Sequence, residues 1–377
     1  MKRKKTASCS QLLLMCVIGC MILTGAKETQ GVDLKTWIET VKRVGPEGKG
    51  HEAAIQAMSM LSKQPADSIP QLLEGMNGAN RLAVNWLRSA VESAADKGNL
   101  PLAEIKSFLE KKDNSPFARR LAFELIVAAS PEQKKAMLLE MLDDPSLEIR
   151  RDAVELELSK IKALTKQSEK IAGYRKALSH SREIAQIKLI ADALSELGEK
   201  VNQVKHFGMI MQWHVAGPFE NKNQAKFNQA YPPEENQDLK QTFTGMDGIQ
   251  FGWKQYQSSD EEGIVDLNKA LANHKGAIAY AYSDFYCDHP RQIDVRLACI
   301  NANKVWINGK LVISNDVYHA GMNLDQYIAK ASLKKGANTI LIKVCQNEQT
   351  ESWAQRWQFQ IRVTDDTGKA LGDGKQK

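Results

Sequence analysis

The sequence is poor in aromatic residues and histidine, and it lacks the short motifs that mark common enzymes. Aromatic residues make up only 7% of the chain, and its seven histidines are scattered. We find no phosphate-binding loop, no G-x-S-x-G elbow, no H-E-x-x-H motif and no C-x-x-C pair. These absences exclude the enzyme classes that depend on such motifs. We therefore expect a protein that is not an enzyme and that has no catalytic residues, no cofactor and no metal.

Charge of one sign is concentrated only at the start of the chain. The formal net charge of +6 falls to +2 once the four basic residues of the segment 2–5 are set aside. A charge this small is not the footprint of a nucleic-acid-binding protein, so we expect no nucleic-acid partner. At 377 residues and 43% hydrophobic, the chain is long enough to bury the cores of two domains.

The only long apolar run follows this basic cluster, at residues 12–26. A basic segment and a short apolar stretch are typical of a secretory signal peptide, here 1–26, and predict an exported protein that is periplasmic, envelope-associated or secreted. Small residues favour cleavage before Lys27. Residues 17–20 also resemble a lipoprotein motif that would acylate Cys20, and an uncleaved anchor is a third possibility. Any contact with a membrane would be made through this N-terminal segment.

Cysteine is scarce outside the leader. Only Cys287, Cys299 and Cys345 remain, which allows at most one intrachain disulfide. Cys299 has the strand parity of the apolar residues before it, whereas Cys345 has the opposite parity to Ile342 and Val344. A bridge between Cys299 and Cys345 would need a bulge or a strand end, and buried free thiols are the alternative.

The chain changes its pattern near residue 205. From 33 to 204, apolar residues recur at three- and four-residue spacing, which predicts helices, and Pro101, Pro116, Pro131 and Pro145 punctuate them at intervals of 14 or 15 residues. Beyond 209 the apolar period is two, which predicts antiparallel strands up to 365. We expect a flexible tail at 366–377. The predicted fold class is a multidomain α + β protein.

The helical half carries a resemblance to a repeat family. The segment 144–153, Asp-Pro-Ser-Leu-Glu-Ile-Arg-Arg-Asp-Ala, resembles the start of the second helix in a HEAT-type repeat, and 115–122 echoes it about 30 residues earlier. The resemblance implies an α-solenoid of stacked helical hairpins over 33–204 that contacts a protein partner. Arg119, Arg120, Arg150 and Arg151 would form either a basic ridge on it or ion pairs with the nearby acidic residues.

About nine strands are predicted in the second half. Alternation is clearest at 293–297 and 357–363, and Asn308-Gly309 between two short apolar runs is a strong hairpin signal. The other predicted strands are 209–216, 264–267, 277–283, 304–307, 310–313, 326–330 and 338–344. This number of strands suits a β-sandwich or jelly roll.

Three motifs in order, at 213–219, 304–310 and 334–344, resemble the galactose-binding-like β-sandwich found in many secreted bacterial carbohydrate-active proteins. The resemblance spans 209–365 and implies a glycan-binding module or a protein-contact module. Where many relatives have an acidic turn, this chain has Cys299-Ile300-Asn301-Ala302-Asn303. The resemblance therefore carries no calcium site over to this chain.

The candidate ligand site lies in polar segments that flank the last strands. Residues 345–357 combine side-chain amides, acidic residues and two tryptophans, and sugars are held by planar polar groups beside an aromatic face. We predict a site formed by residues of this segment and of the loop near 318–326: Trp353, Asn347, Glu348, Gln349, Tyr318, His319, Asp325 and Gln326.

Two functional hypotheses follow from the sequence. In the first, the solenoid contacts a protein partner and the β-sandwich contacts a glycan or polysaccharide. In the second, the chain is a structural or assembly scaffold of the cell envelope and binds no sugar. A hydrolase or lyase is a more distant third.

Overall fold

The computed structural model describes residues 33–372. The predicted signal peptide, with Cys20, lies outside these residues. Contacts divide the chain into two compact units, of which the first ends at Ala193 and the second begins at Leu194. No helix in the described range combines the length and apolar character that a bilayer span requires.

The first unit is helical, as its apolar periodicity predicts. Buried residues of its helices join one apolar cluster that extends from Leu34 to Ala153. Each of the four punctuating prolines begins a helix or lies within two residues before one. The helices are α1 (33–42), α2 (His51–Leu61), α3 (Ile69–Gly75), α4 (Arg81–Ala95), α5 (Leu102–Glu110), α6 (Pro116–Ala129), α7 (Lys134–Leu139), α8 (Leu147–Ala163), α9 (Gln167–His180) and α10 (Ile184–Glu196), the last of which spans the division.

Arginines of the helical unit form ion pairs within it. The guanidinium of Arg119 pairs with the Asp144 carboxylate, and these side chains are only 2% and 1% exposed. Arg119 also donates to two backbone carbonyls at the end of α5, so its donors are satisfied inside the unit. Arg120 lies 2.6 Å from Asp152, which Arg151 also contacts. Arg119, Arg120 and Arg151 therefore form the ion pairs that were one of the two predicted uses of the arginines.

The second unit contains antiparallel sheets, and each of the nine predicted strands overlaps an observed one. The sequence did not reveal β2, β3 and β4, which are three or four residues long and contain no fully buried position except Phe243. The strands are β1 (Gln212–Glu220), β2 (Thr242–Thr244), β3 (Gln250–Gly252), β4 (Lys254–Gln257), β5 (Val265–Asp266), β6 (Ala277–Cys287), β7 (Arg291–Cys299), β8 (Ala302–Ile307), β9 (Lys310–Asn315), β10 (Tyr327–Leu333), β11 (Gly336–Cys345) and β12 (Gln358–Thr364).

The strands of this unit form one six-stranded, one four-stranded and one two-stranded sheet. The strand orders are β4-β1-β6-β11-β8-β9, β10-β7-β12-β5 and β2-β3. Short helices α11 (Gln203–Phe207), α12 (Pro232–Glu235) and α13 (Leu267–Ala270) lie between strands or before them. The predicted Asn308-Gly309 turn joins β8 to β9, and both residues have the positive φ that such a turn requires, 52° and 77°.

Two apolar clusters lie on the opposite faces of the six-stranded sheet. The first takes residues from both larger sheets, including Val295, Ile342 and Trp357. The second lies on the other face, where Tyr280 and Leu341 pack with aromatic residues from the segment 227–253. The residues of β11 contribute alternately to the two clusters, since successive side chains of a strand point to opposite faces of the sheet.

The three described cysteines are buried free thiols. Cys299, on β7 of the four-stranded sheet, belongs to the first cluster, and Cys345, on β11 of the six-stranded sheet, belongs to the second. No disulfide joins them, so the free-thiol alternative is the one observed.

Residues 366–371, in the predicted flexible tail, fold back on β12. The Leu371 amide donates to the Val363 carbonyl at 3.0 Å, and the Asp365 backbone amide donates to the Lys369 carbonyl at the same distance.

Candidate functional site

The structure brings most of the predicted site residues together where β11 ends. Trp353 lies in a single 3-10 turn, Ser352–Ala354, between β11 and β12, and its side chain is 53% exposed. The loop after β9 carries His319, whose φ of 58° is in the left-handed region. Both loops extend from well-packed strands, and this arrangement places two aromatic rings beside each other.

The rings of Trp353 and His319 meet edge to face, with centroids 4.7 Å apart and planes at 80°. His319 Nε2 lies 2.9 Å from Asn347 Nδ2, and Asn347 Nδ2 also donates to Gln349 Oε1 at 2.7 Å. Asn347 is 1% exposed and holds the exposed aromatic pair to the end of β11. We call Trp353, His319, Asn347, Gln349, Tyr318 and Glu348 the Trp353 cluster.

A buried asparagine connects the remaining members. Asn221, which is fully buried, donates through Nδ2 to the Tyr318 hydroxyl at 3.0 Å and to the Gln346 carbonyl at 3.1 Å. Burial raises the pKa of the Tyr318 hydroxyl well above its ordinary value, so this group stays protonated. The carboxylate of Glu348 accepts the backbone N–H of Asn223. Asn221 has no marker in the sequence that separates it from other asparagines, and sequence reasoning missed it.

The two backbone carbonyls that follow Trp353 are held by side chains from two other parts of the unit. Lys275 Nζ donates to the Ala354 carbonyl at 2.8 Å, and Asn268 Nδ2 donates to the Gln355 carbonyl at 3.0 Å. Burial lowers the pKa of Lys275, although the charge of Glu351 acts in the opposite direction. These contacts hold the turn that presents the tryptophan.

Beneath this turn lies a pair of buried amides. Asn301 Nδ2 donates to Gln346 Oε1 at 2.9 Å and to the Arg356 carbonyl at 3.2 Å. Gln346 Nε2 lies 3.3 Å from the carbonyls of both Ala354 and Arg356, and Gln346 Oε1 accepts the Asn347 amide at 3.2 Å. Both side chains are fully buried, so they connect the end of β7 to the loop that carries Trp353.

Asp325 does not join the cluster, contrary to its place among the predicted ligand residues. Its carboxylate accepts hydrogen bonds from Arg296 at 2.9 Å and from Arg362 at 2.8 Å. Burial by itself would raise the pKa of Asp325, but the hydrogen bonds and charge of Arg362 and Arg296 outweigh it and lower that pKa. Asp325 is therefore part of an ion-pair network that joins β7, β10 and β12.

Gln326 supports the cluster from a distance. Its Nε2 donates to the Ala320 carbonyl at 3.3 Å and lies 3.2 Å from the Tyr327 hydroxyl. Through the Ala320 contact it positions the loop that carries His319, and its own side chain is not beside Trp353.

The polar turn after β6 makes local contacts. Cys287 Sγ donates to the His289 carbonyl at 3.1 Å, and Asp284 accepts from the Tyr282 hydroxyl at 2.6 Å. Within residues 33–372, no group of three or more histidine, cysteine, aspartate or glutamate side chains is arranged to hold a metal ion.

No protein-family model and no curated protein sequence matches the chain. Among solved structures, a β-glucosidase from Kluyveromyces marxianus in complex with glucose is similar over 48% of this chain at 15% identity and a TM-score of 0.25. The match covers 22% of that protein, so the chain spans about a fifth of its length. A β-glucuronidase from an uncultured Clostridium species is similar over 42% of this chain and 29% of its own, at 11% identity and a TM-score of 0.22.

A third similar structure covers more of both chains. The alkylpurine DNA glycosylase from Pseudomonas fluorescens, bound to DNA containing an abasic site analog, matches over 90% of this chain and 95% of its own. Its identity is 12% and its TM-score 0.21. TM-scores this low do not establish a shared fold, so a functional argument must start from the residues of the chain itself.

Proposed function

We propose that this protein is an exported, non-enzymatic binding protein that contacts a glycan through the Trp353 cluster. In this proposal the second unit is a galactose-binding-like β-sandwich, and the first is a HEAT-like α-solenoid that contacts a protein partner. The observation that carries the proposal is Trp353, a large aromatic side chain left 53% exposed on a turn whose carbonyls are held by buried or partly buried polar groups.

The chemistry of the cluster suits a sugar. A sugar ring presents C–H groups to an aromatic face and hydroxyl pairs to planar amides and carboxylates. Trp353 supplies an aromatic surface, and the half-buried Gln349 and the exposed Glu348 supply polar groups beside it. Because His319 contacts the tryptophan edge to face, it restrains the indole before any ligand arrives, which lowers the ordering cost of binding.

A feature of the helical unit supports a protein partner there. A depression of about 490 Å³ is lined by the 44–49 loop, His51, Leu82 and Trp86. Leu82 is 44% exposed, and the rings of His51 and Trp86 meet edge to face 5.2 Å apart. Exposed apolar surface beside a depression is a common property of protein-contact sites.

The alternative is an envelope scaffold that binds no sugar, in which Trp353 packs against another protein. Exposed aromatic residues are also enriched in protein–protein contacts, so the same side chain is compatible with this function. A glycan screen separates the two functions.

The test is a glycan array probed with the mature chain from Lys27, its Trp353→Ala variant and its Ile328→Ala variant. Ile328 is a matched control, because it is a hydrophobic residue that is 52% exposed on β10 and is not a member of the cluster. We expect the mature chain and Ile328→Ala to bind the same glycans, and Trp353→Ala to lose at least about tenfold in affinity. If well-folded protein bound no glycan on the array, or if all three chains bound equally, the glycan proposal would be refuted and the scaffold function favoured.

A further inference from the structure

A polar row crosses the face of the six-stranded sheet that carries the second apolar cluster. Pairing of β11 with β6 sets Lys343 opposite Tyr280, and pairing of β11 with β8 sets Lys343 opposite Lys304. Lys343 is fully buried and Lys304 is 9% exposed. Two lysines thus lie directly opposite each other on neighbouring strands, and like charges in such a pair are destabilising unless anions or other acceptors compensate them.

Among the described residues, one carboxylate lies within salt-bridge distance of either lysine. Glu234 Oε1 lies 2.9 Å from Lys343 Nζ and also accepts the hydroxyl of Tyr280. Lys304 Nζ has only an amide oxygen, Asn228 Oδ1 at 2.9 Å, and the ring of Phe227 at 4.5 Å. Two buried cations are therefore matched by one anion.

The anion and the other partners of the lysines come from one segment. We call residues 221–236 the strap: it contains Asn228, Gln229 and Glu234, and its regular structure is one 3-10 turn and the four-residue helix α12. Gln229 contributes its carbonyl to Lys343 Nζ at 2.6 Å. The strap thus occupies the polar row with a carboxylate, an amide and a carbonyl.

We propose that the polar row is a binding site for a carboxylate-bearing sugar, a uronate glycan, and that the strap occupies it as an internal competitor. The ligand carboxylate would replace Glu234 at Lys343 and Tyr280 and, unlike Glu234, would also pair with Lys304. This second ion pair is the differential interaction that lets the ligand displace the strap. The polar row shares no residue with the Trp353 cluster, although Asn221 and Asn223 at the start of the strap contact Tyr318 and Glu348 of that cluster. The proposal does not depend on the function proposed for the cluster.

Aromatic side chains on the same sheet face favour a sugar over an acidic peptide. The next pairing row toward the β8–β9 turn sets Leu341 between Tyr282 and Trp306. Two residues along a strand correspond to about 6.6 Å, which is roughly the width of a pyranose ring. A uronate carboxylate on the lysines would therefore place its ring against Tyr282 or Trp306, whereas a bound peptide strand would need a free sheet edge.

The test compares tri-galacturonate with its neutral methyl ester by calorimetric titration of the full chain. Glu234→Gln removes the competing carboxylate, and we expect about tenfold tighter binding of the acid with no gain for the ester. Glu235→Gln is the matched control, since Glu235 is the exposed neighbour on α12, and it should leave both affinities unchanged. Adding Lys304→Met to Glu234→Gln should reduce the gain, because the ligand carboxylate then pairs with Lys343 alone. Trp353→Ala should not change the binding of the acid.

Asn228→Ala gives a second route to the same result if Glu234→Gln fails to fold. It frees Lys304 and leaves the pair of Lys343 and Glu234 intact, and we expect tighter binding of the acid by about threefold. A folded Glu234→Gln chain without a gain, a gain equal for the ester, or a gain that Lys304→Met leaves undiminished would overturn the proposal.

Discussion

Replacing Gln346 by leucine should release the turn that presents Trp353 while the sheets stay folded. The glutamine is fully buried at the end of β11 and bonds the loop at its start, through the Asn347 amide, and at its end, through the Ala354 and Arg356 carbonyls. Leucine has a similar volume but no polar atom. The perturbation therefore removes the bonds and creates little cavity.

The expected loss of stability depends on which hydrogen bonds the partners of Gln346 keep. The Ala354 carbonyl retains Lys275, and the Arg356 carbonyl retains Asn301. The Asn347 amide loses the partner given for it, and Asn301 Nδ2 loses Gln346 Oε1 at 2.9 Å but keeps the Arg356 carbonyl. One orphaned buried N–H, together with the lost bond from Asn301 and the two lost 3.3 Å bonds to the carbonyls, costs about 2–3 kcal/mol in the free energy of unfolding. Opening the turn should also weaken the contact of Trp353 with the glycan. A loss of 1.4 kcal/mol or more in binding free energy corresponds to an affinity lower by about tenfold or more.

The assay is ¹⁹F NMR of the chain labelled with 5-fluorotryptophan, with the resonance of Trp353 assigned from a Trp353→Phe variant. We expect Gln346→Leu to broaden or shift that resonance and to leave the resonance of the fully buried Trp357 in place. Gln360→Leu is the control, because Gln360 is also buried but donates to the Glu262 carbonyl, away from the turn. An unchanged Trp353 resonance in a Gln346→Leu chain of lowered stability would refute the positioning role.

Three further predictions concern buried polar groups elsewhere. Arg119→Met leaves the carboxylate of Asp144 buried without its partner and should lower the stability of the helical unit by about 3–5 kcal/mol, measured by urea denaturation. The depressed pKa of Asp325 gives stability that is present above its unfolded pKa of about 3.9 and is lost as the pH falls through its folded pKa. Asp325→Asn should therefore flatten the acid limb of an unfolding curve, and an unchanged limb would count against the network. Burial raises the pKa of Cys299 and of Cys345 to about 12, so a thiol reagent at pH 8 should label neither until the chain unfolds; rapid labelling of native protein would contradict their burial.

The sequence predicted nine of the strands because the apolar residues of those strands alternate toward a core. Alternation at Ile293, Val295 and Leu297 predicted both the strand and the burial of that face, and Cys299, which has the same parity, lies in the same cluster. The short strands β2 to β4 gave no such signal, since they are mostly exposed. The polar loop of Trp353 was also predictable, because amides beside tryptophan are unusual after a strong strand.

The sequence by itself determined the local elements, a helical half followed by an antiparallel half, since apolar period and turn chemistry are properties of neighbouring residues. Only the tertiary structure decided which polar groups meet. It paired Asp325 with arginines on β7 and β12, and it brought Asn221 to Tyr318 across 97 positions of the chain. Such pairings depend on strand order and register, and hydrogen bonds between residues far apart in the chain leave no period in the sequence.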